Sequence, residues 1–84
     1  MLIQVFGPGC VNCLTLEKRV KQAIESLQVD AEYKKIEDFQ IMMGMGIMRT
    51  PALSIDGKVI FQGRVPTVNE LKEIITGAKN ENSN

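Results

Sequence analysis

The strongest constraint on the fold is a junction near the start of the chain. Leu2-Ile3-Gln4-Val5-Phe6 is a nearly continuous apolar run. It is too short for a helix and reads as a buried strand. Gly7-Pro8-Gly9 breaks it. The apolar period then changes. Cys13, Leu16, Val20, Ala23, Ile24 and Leu27 recur at threes and fours, and at 3.6 residues per turn they fall within an arc of roughly 100°. Lys18, Arg19, Lys21, Gln22, Glu25 and Ser26 lie off that arc, so a helix is expected from about Val11 to Leu27. Val29 to Ile36 follows a polar break and reads as a second strand. Strand, helix and strand within about 36 residues make a βαβ unit with parallel strands and a right-handed crossover.

The remainder reads as a second half of different construction. Phe39, Ile41, Met42 and Met45 suggest one face of a short helix between Glu37 and about Met45, closed near Gly44 or Gly46. Thr50-Pro51 ends any helix, because the residue before proline is pushed out of the α region. Ala52–Ile55, Asp56-Gly57 and Lys58–Gln62 carry a hairpin signal, with Asp-Gly suited to a type I′ turn. Gly63-Arg64-Val65-Pro66 is a connector. Thr67-Val68-Asn69-Glu70 has the form of a capping box, and Val68, Leu71, Ile74, Ile75 and Ala78 give the third helix its apolar face, with Gly77 near its end. The order is therefore β-α-β-α-β-β-α. This is an α/β domain with a mixed four-stranded sheet flanked by three helices, spanning residues 1–77. Residues 78–84 are polar and read as a disordered tail.

Composition removes several function classes. The 84 residues carry ten basic and ten acidic side chains, so no basic footprint for nucleic acid exists. The chain has no histidine, which excludes a Ser-His or Cys-His nucleophile pair within it and a histidine-ligated zinc site. Two cysteines cannot build a four-cysteine site. No apolar run approaches the ~18 residues of a membrane helix. Residues 1–6 lack the features of a signal peptide. The expected compartment is the cytoplasm, where a structural disulfide would be unusual. The chemistry must rest largely on two thiols.

Cys10-Val11-Asn12-Cys13 opens the first helix directly after the Gly-Pro-Gly turn. The unpaired N–H groups and positive dipole end of a helix stabilise a thiolate. Cys10 is therefore expected to titrate below the ~8.5 of a free thiol. Cys13 lies on the apolar stripe and is expected to be buried, while Cys10 sits at its margin. That asymmetry suits an attacking and a resolving thiol. Two other readings compete: small buried hydrophobes in a non-catalytic interaction domain, and a soft-metal site in which paired thiolates hold or carry Cu(I). Thr50-Pro51 fits a plain turn with a trans bond, but its place between the second helix and the hairpin also fits a loop packed against the dithiol. Arg49 is either a solvated charge or a group that favours the Cys10 thiolate. Met42, Met43, Met45 and Met48 read as flexible core filler, or else as a soft surface near the dithiol. Glu17, Lys18, Lys21 and Glu25 form a solvated helix face.

Taken together, Gly7-Pro8-Gly9-Cys10-Val11-Asn12-Cys13, Thr50-Pro51-Ala52-Leu53, Asp56-Gly57 and Gly63-Arg64-Val65-Pro66 resemble the thioredoxin-fold dithiol proteins. The resemblance is to the short glutaredoxin-like members and covers residues 1–77. It implies a thiol–disulfide oxidoreductase with Cys10 as nucleophile and Cys13 as resolving thiol. It implies a cis Thr50–Pro51 bond, with the Thr50 backbone free to pair with an extended substrate strand. Gly9, Arg49 and Gly63 are the supporting positions. No organic cofactor is implied. The implied partners are a protein disulfide as substrate and a thioredoxin-reductase-type flavoprotein or low-molecular-weight thiol as electron source, with the chain a monomer. Gln4 stands where thioredoxin proper keeps a buried aspartate, and it cannot titrate.

Overall fold

In a computed structural model, which describes residues 1–82, the elements follow the expected order. They are β1 (Leu2–Phe6), α1 (Val11–Leu27), β2 (Glu32–Ile36), α2 (Phe39–Gly44), β3 (Ala52–Ile55), β4 (Lys58–Gln62) and α3 (Val68–Asn82). The four strands form one sheet in the order β2-β1-β3-β4. β1 pairs parallel with β2 and antiparallel with β3, and β3 pairs antiparallel with β4. The sheet is mixed, as the βαβ unit and the hairpin required.

The side-chain alternation of the central strands separates two cores. Ile3, Val5, Leu53, Ile55 and Phe61 point to one face, where they meet Leu16, Val20 and Ala23 of α1 and Leu71 and Ile75 of α3. Phe6 and Ala52 point to the other face, where they meet Met42 of α2 and Ile47. α2 is one short helix, so the second core is small. A β-bulge lets β4 serve both faces. Leu53 opposes Phe61 and Ser54 opposes Val59, leaving Ile60 as the extra residue. Phe61 thereby joins the larger core while Val59 packs against the smaller one.

Local signals explain the element ends. Asp56 and Gly57 both have positive φ, 51° and 86°, as a type I′ turn requires. The Asp56 carboxylate also accepts from the Leu2 N–H at 2.7 Å, and its own N–H donates to the Leu2 carbonyl at 2.8 Å. Those two bonds fasten the hairpin tip to the start of β1.

Three boundaries and one cap differ from the sequence expectation. β2 begins at Glu32 rather than Val29. Gln28 closes α1 in the left-handed region, and the Ala31 N–H turns back to the Val29 carbonyl, so pairing starts only where Glu32 meets Leu2. α2 begins after Asp38, whose carboxylate accepts from the Gln40 N–H at 2.8 Å. The capping box is half formed: the Thr67 hydroxyl accepts from the Glu70 N–H, but the Glu70 carboxylate takes the charge-assisted bond to Arg64 at 2.9 Å. α3 runs through Gly77 to Asn82, so the tail expected from residue 78 is helical in backbone that far. An exposed glycine costs a helix only about 1 kcal/mol, and Ala78, Lys79 and Glu81 are good helix formers. Residues 83–84 lie outside the described residues.

Arg19 ties the first helix to the last. Its guanidinium donates to the Val65 and Pro66 carbonyls at 3.2 and 3.1 Å, holding the connector that aims α3 along α1. No helix among the described residues is long and apolar enough to cross a membrane.

The two cores and the bulge make opposite demands on two aliphatic side chains. Leu16 is fully buried, so Leu16→Ala should lower stability by about 2–5 kcal/mol. Ile60 is 36% exposed on the bulge, so Ile60→Ala should stay within about 1 kcal/mol. Urea unfolding of both oxidised variants checks this, and comparable losses would contradict the placement.

Candidate active site

The junction between β1 and α1 builds the site. Gly9, with φ 94°, turns the chain into Cys10, which is the N-cap of α1 with extended backbone angles of −66° and 167°. The Cys10 carbonyl accepts from the Leu14 N–H at 2.9 Å, opening the helical ladder. Its sulfur accepts from the Cys13 N–H at 3.1 Å. Serine, threonine and aspartate commonly cap helices through an oxygen in this way; here a sulfur occupies the position. One of the free donors of the helix N-terminus is thus aimed at the Cys10 Sγ, an arrangement that favours its anionic form.

Cys10 and Cys13 are joined as a disulfide, with Cα atoms 4.9 Å apart. Their surroundings differ. Cys10 is exposed. Cys13 is 3% exposed, on the buried side of the helix. The spacing therefore presents one sulfur to solvent and holds the other beneath it.

β3 supplies the opposite wall. Phe6 is paired with Ala52, so the chain leaving β1 and the chain arriving at β3 run side by side. The Thr50–Pro51 bond is cis. A Cβ placed on Gly7 would collide with the Cys13 sulfur and come within 4.0 Å of the Thr50 Cβ. Gly7 is thus packed against Cys13 and lies near Thr50, and its missing side chain leaves room for the Cys13 sulfur.

The other supporting positions form a second group, behind Pro51. The Pro51 carbonyl accepts from the Gly63 N–H at 2.8 Å. Gly63 carries the aliphatic stem of Arg49: a Cβ there would lie 3.1 Å from the Arg49 Cδ. Arg49 itself is exposed. The Gln62 side-chain oxygen accepts from the backbone N–H groups of Met48 and Arg49, at 2.8 and 3.1 Å. Arg49 and Gly63 therefore touch each other, while Gly9 stands apart on the dithiol turn.

Three features were missed by sequence reasoning. Gly7 was legible only as part of a breaker; its spatial role depends on Cys13 and Thr50. Gln62 is an unremarkable polar residue at a strand end and carries no local signal. Ser54 is fully buried and donates to the Gln4 side-chain oxygen at 3.1 Å. This neutral pair satisfies the polar groups of two central strands without a titrating side chain. The methionines divide. Met42 is buried and Met45 partly so, as core filler would be, whereas Met43 and Met48 are exposed, Met48 at 91%.

A sulfur-capped helix, a dithiol of unequal burial and a facing cis-proline loop on this topology define a thiol–disulfide oxidoreductase of the thioredoxin fold. A sequence model of the thioredoxin domain matches residues 1–76. The chain is 38% identical over 76 residues to a thioredoxin of Methanothermobacter thermautotrophicus, covering 90% of this chain and 99% of that protein. It is 36% identical over 73 residues to a thioredoxin of Methanocaldococcus jannaschii, covering 87% of this chain and 84% of that protein. The chain belongs to the thioredoxin domain family. The Cu(I)-carrier alternative finds no support in these relationships.

Crowding at Gly7 bears on the two redox states unequally. In the disulfide the Cys13 sulfur is tethered to Cys10; as a thiol it can take another rotamer, while the Cys13 Cβ, 3.0 Å from an added methyl group, stays in place in both states. Gly7→Ala should therefore disfavour the oxidised form by an overpacking cost of about 1–3 kcal/mol, which raises the reduction potential by about 20–60 mV. Equilibration in dithiothreitol or glutathione buffers reads the shift. An unchanged or more negative potential would mean that the site admits the methyl group freely.

Proposed function

We propose that the chain exchanges a Cys10–Cys13 dithiol with disulfides in protein substrates. The observation that carries this reading is the pairing of an exposed, helix-capping Cys10 sulfur with a buried Cys13 one turn along. Cys10 attacks as thiolate. Its sulfur bonds to one substrate sulfur, and the other substrate sulfur leaves as a thiolate and takes a proton. Cys13 then loses its proton and attacks the Cys10 sulfur. The Cys10–Cys13 bond closes and the second substrate sulfur departs as a thiol after protonation. Two electrons and two protons pass to the substrate. The Gln4–Ser54 pair is neutral, so the Cys13 proton goes to the departing substrate thiolate or to water.

Regeneration of the dithiol needs two electrons from a thioredoxin-reductase-type flavoprotein or a low-molecular-weight thiol. A monomer in the cytoplasm, where such donors keep thiols reduced, suits this role. Protein substrates are favoured over small disulfides by the surface around Cys10. Val11, 79% exposed, and Leu14 present apolar side chains on the first turns of α1. The Thr50 backbone makes no hydrogen bond among the described residues, leaving an edge to which an extended substrate segment can add.

The division of labour is open to direct test. Cys13→Ser should accumulate mixed disulfides through Cys10 when exposed to an oxidised substrate protein, and Cys10→Ser should not. Non-reducing electrophoresis with mass spectrometry of the adducts reads both. Equal trapping by the two variants would defeat the assignment.

A further inference from the structure

The loop that faces the dithiol is held in an unusual way. Residues 45–47 belong to the end of α2: the Met45 N–H donates to Ile41 and Met42, Gly46 to Met43 and Ile47 to Met42, at 2.9–3.1 Å. Pro51 onward belongs to the sheet, with its carbonyl on the Gly63 N–H. Between these anchors stand Met48, Arg49 and Thr50. Nothing in α2 or β1 holds the first two. Their N–H groups converge on one atom, the Gln62 Oε1. Two successive donors on a single acceptor fix the peptide planes on both sides of Met48, because rotation of either plane sacrifices a bond. Arg49 is pressed from the same side by Gly63. Gln62 is itself placed by its pairing with Ala52, the first residue of β3.

We infer that Gln62 is a positioning residue for thiol–disulfide exchange: its side-chain oxygen fixes the backbone of residues 48–49 so that Thr50 presents its free N–H and carbonyl to a substrate strand beside the dithiol. The inference rests on the proposed strand pairing at Thr50. Gln62 touches neither sulfur and acts through the loop. Its two bonds occupy the Met48 and Arg49 N–H groups, so that among residues 48–50 the Thr50 N–H is the donor left for the substrate. Without them the segment between Ile47 and Pro51 samples orientations that a strand cannot pair with, and binding weakens before the sulfur chemistry does.

The test uses a synthetic peptide disulfide and a twin N-methylated at the residue expected to pair with Thr50. The wild-type protein should show the higher KM for the methylated twin. Gln62→Leu removes the acceptor, and Gln62→Asn keeps an amide one methylene too short. Both should raise KM for the unmethylated peptide about threefold to tenfold, the loss expected from one to two exposed hydrogen bonds, with the larger part of the effect in KM rather than kcat. Gln62→Glu keeps an acceptor at the same reach and should restore KM to within about twofold of wild type, on the same hydrogen-bond reasoning. Amide exchange at Met48 and Arg49 should quicken in the Leu and Asn variants and not in the Glu variant. If one variant does not fold, the other and the Glu variant carry the comparison. Unchanged KM in the Leu and Asn variants, with the wild type still discriminating against the methylated peptide, overturns the role of Gln62 alone. Failure of Gln62→Glu to restore KM overturns it too. Loss of discrimination in the wild type overturns the strand pairing and the inference with it.

Discussion

The antiparallel pairing of β1 with β3 is the constraint on which the site depends. Phe6 faces Ala52 at the end of that ladder. The next residues along one strand are Gly7 and the dithiol turn; the preceding residues along the other are Pro51 and Thr50. One register therefore brings together two segments more than forty residues apart in sequence. A slip of one residue would turn Phe6 and Ala52 to the opposite face and carry Thr50 away from Gly7. Burial guards against it: Ile3, Val5, Leu53 and Ile55 fill one core and Phe6 and Ala52 the other. The packing of the sheet and the geometry of the site are thus enforced by the same side chains.

Around that pairing, the two sulfurs are served by different physics. Cys10 depends on a local device, the free N–H groups at the start of α1, one of which reaches its sulfur. Cys13 depends on tertiary packing, since its burial and its contact with Gly7 require the sheet beneath the helix. The Gln4–Ser54 pair between the two central strands is neutral. The two sulfurs therefore rest on separate supports: the helix end reaches the Cys10 sulfur, while the space left by Gly7 accommodates the Cys13 sulfur. Arg19 contributes at a distance, by holding the Val65-Pro66 connector so that α3 lies beside α1 over the larger core.

Much of this was legible residue by residue. The apolar stripe from Cys13 to Leu27 located α1, and Asp56-Gly57 located the hairpin, because both signals are complete within a few neighbours. Boundaries were less legible where a tertiary partner decides them. Val29 is a good strand residue, yet β2 starts at Glu32 because the chain is still turning at Val29, whose carbonyl accepts from the Ala31 N–H. The face drawn through Phe39, Ile41, Met42 and Met45 is only partly buried, because a six-residue helix over one end of a sheet offers room for Met42 and little else. Gln62 left no mark at all, since a side-chain acceptor for Met48 and Arg49 exists only once β4 lies beside β3.

By itself, then, the sequence determined the elements, their order, the place of Cys10 at the start of α1 and of Cys13 on its apolar stripe. Each follows from a period or a spacing of no more than one or two turns of chain. Tertiary structure decided which strands lie at the centre, which face each helix covers, why a side chain at residue 7 would crowd Cys13 and how Thr50 comes to lie near Gly7. Those depend on contacts between residues far apart along the chain, whose partners are set by the packing of two cores against one sheet and by no local pattern.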